Sequence, residues 1–344
     1  MDISAFGEFE LIARLTAGLA VPASGDIGVG DDCALLDLGR GDLLLATCDS
    51  QVEGVHFTLQ SSPLEHIGRK TLAINLSDIA AMGGTPRYAL VSLLLPPRLS
   101  IEALDGIYAG LRAQAQRFDT AIVGGNISST GGSPQLVIDI TLLGTVERGH
   151  ALLRSGAHAG DLICVTGSLG DSAAGLQTFL RPAANVSPQD LQALRERHTS
   201  PEPRVREGQL LGSLEGGKVT AMLDISDGLS GDLTHLCERS GCGARVDLAS
   251  IPLSSPLLRV ARSLQHDPLD WALHGGEDYE LLFTLRPSAL DEVRSALQQQ
   301  CATPLTVIGE IQPLTSGLTL SYPDGHSEPL HPHSWDHLKK ENKV

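Results

Sequence analysis

Short apolar runs of the kind that form buried strands alternate with helically spaced stretches through most of the chain, and the alternation starts afresh after a Pro-rich polar stretch at about 181–203. In the first half, GEFELIARLTAGL has helical spacing, CALLDL and DLLLATCD read as short strands, and residues 64–82 return to helix. YALVSLLLP, TAIVGG and QLVIDITLLGTV then read as strands around the helical IEALDGIYAGLRAQAQRF. After DLICVTG and the helical GDSAAGLQTFL, the polar stretch reads as a linker or surface excursion. TAMLDI then leads into SDGLSGDLTHLCERSG, a helix expected to be capped by Ser226 or Asp227, followed by further strand and helix patterns up to GLTLSY. This order predicts α/β architecture in two domains, 1–148 and 149–344, within a length of 344 residues that suits two cores. The polar segment from His326 onward carries no core pattern.

Composition excludes several functions. The formal charge is −16 and aromatic residues make up 3% of the chain, so neither a broad phosphate-binding surface nor stacking platforms for bases are available. A polyanionic ligand would need metal ions. No run approaches the roughly 20 apolar residues of a membrane span, and the acidic start MDISAFGEFELIARL is unlike a signal peptide, so a soluble, cytoplasmic protein with no nucleic-acid or membrane partner is expected. The six cysteines are dispersed without a C-x-x-C, which predicts reduced thiols.

Among motifs, Gly212-x-x-x-x-Gly217-Lys218 imitates a P-loop. Val219 stands where a hydroxyl would meet magnesium, and the segment precedes a strand, so the reading is rejected. Gly28 and Gly30 lack the third glycine of a dinucleotide fingerprint. What remains is a set of carboxylates on glycine-flanked turns: Asp31 and Asp32 in GVGDDCALL, Asp49 in ATCDS, Asp78 in NLSDIAAMGG, and Asp224 with Asp227 in LDISDGLSGD. Such acids suit hard divalent cations that keep water and phosphate oxygens as their other ligands, although each alone also fits ordinary turn chemistry.

Two periodicities favour the metal reading. Strand alternation in DLLLATCDS puts Asp49 on the face of Leu43, Leu45 and Thr47, opposite Cys48, where a carboxylate needs a partner. On the helix around 70–82, Thr71, Asn75 and Asp78 form a narrow polar stripe among Leu, Ala, Ile and Met. His56, Arg154 and the acidic HGGEDYELLF are ambiguous in isolation, and His331, His333 and His337 read as a solvated terminus. There is no hydrolase nucleophile elbow and no H-E-x-x-H.

GVGDDCALL, TCDSQVEGVHF, KTLAINLSDIAAMGG, VGGN, LLRSGAHAGD, VTGSLGDSAAGL, LDISDGLSGDL and HGGEDYELLF occur in the order found in the thiamine-monophosphate kinases, which the chain resembles over nearly its whole length. That family is related to aminoimidazole ribonucleotide synthetase, selenophosphate synthetase and a hydrogenase-maturation enzyme, all handling ATP without a P-loop. The resemblance implies two α+β domains with mixed sheets, the N-terminal domain binding ATP and Mg²⁺ and pairing with that of a second subunit into a barrel, hence a homodimer.

Carried over by position, the resemblance makes Asp32, Thr47, Asp49, Asp78, Asp224 and Asp227 ligands of several Mg²⁺ ions. It places ATP on Gly125, Asn126, Arg154 and Ser226, and thiamine monophosphate on His56, Glu277 and Trp335. Two positions depart from the pattern. Asn126 replaces an aspartate that is also a metal ligand in the family, with no Thr-Arg following, and Cys48 replaces a threonine, so that a ligand at residue 48 would be its main-chain carbonyl. The implied reaction is direct, Mg²⁺-assisted transfer of the ATP γ-phosphoryl group to thiamine monophosphate, giving thiamine diphosphate. The alternatives are a divergent ATP enzyme acting on another small phosphorylated or carboxylated molecule, and a non-catalytic binding protein, which would release no ADP.

Overall fold

The computed structural model describes residues 7–17, 26–39 and 41–331. After helix α1 (Glu8–Thr16), strands β1 (Ala34–Leu36), β2 (Leu43–Val52), β3 (Thr85–Leu95), β4 (Ala121–Ser129) and β5 (Val137–Val146) form a five-stranded sheet in the order β1-β2-β5-β3-β4. Only β3 and β4 pair in parallel, joined through α3 (Ile101–Arg117), while α2 (Leu64–Ala81) connects β2 to β3.

The second sheet collects β6 (Leu162–Thr166), β7 (Val219–Asp224), β8 (Gly243–Asp247), β9 (Leu281–Leu285), β10 (Leu305–Gln312), β11 (Leu318–Ser321) and β12 (Ser327–Pro329) in the order β12-β11-β8-β10-β6-β9-β7. Its pairs are antiparallel except β8–β11. The helices of this half are α4 (Asp171–Leu180), α5 (Pro188–Thr199), α6 (Val205–Gly212), α7 (Leu229–Ser240), α8 (Ser255–Leu264), α9 (Pro268–His274) and α10 (Leu290–Gln300). Both sheets are mixed, as expected for α+β architecture. No helix among the described residues is long and apolar enough to cross a membrane.

Helix α2 determines how the halves meet. Thirteen of its eighteen residues are buried, because Leu72, Leu76 and Ile79 share one core with Ile138 and Ile140 of β5 and with Met222 and Phe283 of β7 and β9. A helix apolar nearly all round has no solvent face to present. Its polar stripe divides accordingly. Thr71 Oγ1 donates to the Ile67 carbonyl and Asn75 Nδ2 to the Thr71 carbonyl, whereas Asp78 reaches side chains of other elements.

Three expectations need correction. The polar stretch contains α5, which starts as Ser187 accepts from the Asp190 N–H with proline at the first helical position; Leu194 and His198 are buried. The cap position of α7 is Gly228 at φ 105°, a conformation glycine adopts without strain, and not Ser226 or Asp227. The chain beyond His326 is not wholly without a core role, because β12 pairs with β11 and Leu330 is buried.

Candidate functional site

Strand alternation behaves as expected in β2. Cys48 and Ser50 are exposed on the outer face, while Thr47, Asp49 and Gln51 point under the sheet toward α2. There, carboxylate oxygens of Asp32, Asp78 and Asp224 lie within 4.8 Å of one another. Thr47 Oγ1 donates to Asp78 Oδ2 at 2.5 Å, and Ser77 Oγ donates to Asp224 Oδ2 at 2.5 Å.

Burial, then repulsion from Asp49, Asp224 and Asp32, pushes the Asp78 carboxyl well above the usual range. Burial and Asp32 push Asp224 up to about 8, and burial also raises Asp49. Carboxylates massed in this way, with oxygen as their sole donor atom, fit a hard divalent cation, which would relieve the repulsion. Arg154 provides one local counter-charge, its Nη2 lying 2.8 Å from Asp32 Oδ1, and its main-chain N–H donates to Asp31 Oδ1 at 2.7 Å.

Buried Asp232, which the sequence reading did not single out, shapes the neighbouring turn. Its Oδ2 accepts from the N–H groups of Ser226 and Asp227, both at 3.1 Å. That arrangement reverses the expected cap and leaves both of those residues on the wall of a cavity.

The cavity, of about 940 Å³, runs between the halves. Asp49, Asp78, Ser226 and Asp227 line one region, and His56 and Glu277 also reach its wall, together with Phe57, Phe179 and Trp271. Glu277 sits at φ 66°, its N–H donating to the Ser226 carbonyl at 2.7 Å. Lys70 Nζ stands 2.6 Å from Glu277 Oε1, and His198 Nδ1 stands 3.2 Å from Oε2. The ammonium of Lys70 and the His198 hydrogen bond hold the Glu277 carboxyl far below its ordinary pKa despite burial. His56 Nδ1 accepts from the Val52 N–H at 3.0 Å. Lys70 was legible only as the second of two adjacent cations, Arg69 and Lys70, where the apolar run TLAINL of α2 begins, and His198 through the Ser-Pro-x-Asp helix start of α5.

Other positions lie elsewhere. Asn126 is exposed on β4, the strand at the sheet edge, opposite Ser92 of β3, which in turn faces Asp139 of β5 and so Ser50 of β2. It therefore shares the outer face, three strands or about 14 Å from β2, and the fold of one chain does not bring it to the inward-facing Asp49. Gly125 has φ 155°, and a Cβ there would meet the Val91 carbonyl oxygen at 1.8 Å, so glycine is required for strand packing irrespective of any ligand. The Cys48 side chain contacts Asp139 and Thr141 on the outer face. Trp335, like His333 and His337, lies outside the described residues.

The family models for the AIR synthase related protein match the chain, the N-terminal domain over residues 30–146 and the C-terminal domain over 158–317. Thiamine-monophosphate kinase of Bacillus subtilis is 36% identical over 96% of this chain and 99% of its own, and that of Escherichia coli K12 is 38% identical over 97% and 99%. Among solved structures, thiamine monophosphate kinase from Aquifex aeolicus superposes with a TM-score of 0.78 at 31% identity, covering 96% of this chain and 100% of that one. A structure of AaThiL complexed with AMPPCP and TMP reaches a TM-score of 0.83 at 33% identity, covering 98% and 99%. Hydrogenase maturation protein HypE, at 22% identity and a TM-score of 0.69, shares the fold. With both domain models matched and full-length relatives well above 30% identity, the chain belongs to the thiamine-monophosphate kinase family of AIR synthase related proteins.

Proposed function

We propose that the protein is an ATP-dependent kinase that phosphorylates thiamine monophosphate to thiamine diphosphate. The observation that carries this reading is the Asp32–Asp78–Asp224 carboxylate cluster beside a cavity whose wall also bears His56 and Glu277. Family membership supports it, as does the solved relative complexed with AMPPCP and TMP.

In the reaction, a bond forms between an acceptor phosphate oxygen and the γ-phosphorus while the bond to the ADP oxygen breaks. The acceptor is largely ionised near pH 7, so no protein base is required. Donor and acceptor are both anionic, and the main obstacle is their repulsion. Asp32, Asp49, Asp78, Asp224 and Asp227, with Thr47 and the main chain of Cys48, would hold Mg²⁺, which when bound supplies charge neutralisation and alignment of the phosphates. Arg154 and Ser226 serve the nucleotide; His56 and Glu277 serve the thiamine phosphate.

The assembly we infer is a homodimer divided near residue 148 of each chain. The five-stranded sheet supports it: Tyr88 and Leu90 of β3 are exposed on its outer face, and Val123 and Ile127 are exposed on the edge strand β4. Edge strands and uncovered sheet faces of this kind are normally paired or covered. A barrel of two such sheets would also give Gly125 and Asn126 a route to a site that they do not reach within their own chain.

The test is chromatographic. Protein incubated with ATP, Mg²⁺ and thiamine monophosphate should yield thiamine diphosphate and ADP in equal amounts, with thiamine inert as acceptor. ATP protection against thermal unfolding without turnover would instead favour a different substrate or a binding role.

A further inference from the structure

The Lys70 side chain is 2% exposed, which is unusual for an ammonium on a four-carbon stem. Besides its contact with Glu277, its Nζ donates to the main-chain carbonyl of His56 at 3.2 Å. One cation therefore touches both residues read as facing the thiamine phosphate. His56 follows β2 in the first half of the chain, and Glu277 precedes β9 in the second.

We propose that Lys70 is a positioning residue for the acceptor substrate, its ammonium joining the Glu277 carboxylate to the His56 main chain and thereby fixing both walls of the acceptor region. This inference rests on the reading that His56 and Glu277 hold thiamine monophosphate. Lys70 is not among the residues lining the cavity, so it acts through these two and not on the substrate.

The geometry divides the work at Glu277. Lys70 engages Oε1 and His198 Nδ1 approaches Oε2, while the Glu277 side chain keeps 24% of its surface open. Ser172 Oγ, 3.1 Å from the same His198 nitrogen, holds that ring from the N-terminal end of α4. Burial and the adjacent Lys70 disfavour the His198 imidazolium, which leaves Lys70 as the formal positive charge opposing the carboxylate. Without the ammonium, the carboxylate would either take up a proton or turn into the cavity, and the His56 carbonyl would lose its donor. Either change alters the binding of a substrate that carries a cationic thiazolium ring and an aminopyrimidine.

The experiment is steady-state kinetics on Lys70→Met, Lys70→Arg, Glu277→Gln and the double variant Lys70→Met/Glu277→Gln. Lys70→Met should raise KM for thiamine monophosphate about tenfold or more, with kcat and KM for ATP changing less than about threefold; Lys70→Arg should recover most of that loss. The double variant should lie within about threefold of Glu277→Gln alone, the remainder being the lost donor to the His56 carbonyl, because Lys70 works mainly through that carboxylate.

Unchanged KM in Glu277→Gln would remove the reading on which the inference rests. A raised KM in Glu277→Gln with a normal KM in Lys70→Met would overturn the inference alone. So would equal loss in kcat and both KM values, or multiplicative effects in the double variant. If Lys70→Met does not fold, the double variant, which leaves no unpaired carboxylate, decides by the same comparison.

Discussion

Ser77 and Asp224, 147 residues apart, share a buried hydrogen bond of 2.5 Å that ties α2 to the end of β7. A hydroxyl from one half of the chain thus orients a carboxylate from the other. Ser77→Ala should leave the fold intact and weaken apparent Mg²⁺ affinity by about 10–100-fold, as is usual when the partner of a ligating carboxylate is lost. Titration of activity against Mg²⁺ checks this; an unchanged midpoint would detach Asp224 from the metal.

Asp78 is buried among like charges, and its carboxyl is raised for that reason. Asp78→Asn removes the repulsion and should raise the metal-free Tm while abolishing phosphoryl transfer and shrinking the Tm gain on adding Mg²⁺. Thermal unfolding with EDTA and with Mg²⁺ measures all but the transfer, which needs the activity assay.

The same carboxylates set a pH dependence. With a folded pKa of about 8 against an ordinary value of 3.8, Asp224 holds its proton in the native state over a range where the unfolded chain has released it. Stability therefore falls as pH rises toward 8, and the raised Asp78 has the same sign. Buried His198, whose pKa is lowered, works in the opposite direction but only at and below its unfolded value of 6.5. From pH 6.5 to 8.5 the metal-free Tm should fall, and millimolar Mg²⁺ should flatten the slope. A Tm that rises over this interval in EDTA would contradict the burial of these acids as described.

Ile127, 69% exposed on β4, should be costly to charge only if a second copy covers it. Ile127→Asp is expected to convert a dimer into a folded monomer in sedimentation velocity and to lower activity with it. A wild-type monomer would rule out the barrel.

Glu280 is fully buried and accepts from Arg197, Arg204 and Thr166. Glu280→Gln leaves two largely buried guanidinium groups without their carboxylate and should cost about 3–5 kcal/mol in urea unfolding. KM for thiamine monophosphate should hardly change in the protein that remains folded, since Glu280 is not among the cavity-lining residues.

The sequence by itself determined the succession of strands and helices, the inward aim of Asp49, and the set of acids from which the cluster is drawn. Strand alternation and helical spacing are local geometry, readable from a few neighbouring residues. Local rules misplaced the start of α7, where Gly228 at positive φ takes the cap position and Asp232, from inside the helix, accepts from the N–H groups of Ser226 and Asp227. They also missed α5 because a polar, Pro-flanked segment looks like a linker until Leu194 and His198 find a surface to bury against.

Only the tertiary structure decided the rest. It set which three carboxylates converge, placed Asn126 three strands away on the opposite face, and brought the buried ammonium of Lys70 to Glu277. Those relationships join residues far apart in the chain. They follow from sheet order and from packing α2 between two sheets, and they carry no periodic signature in the sequence.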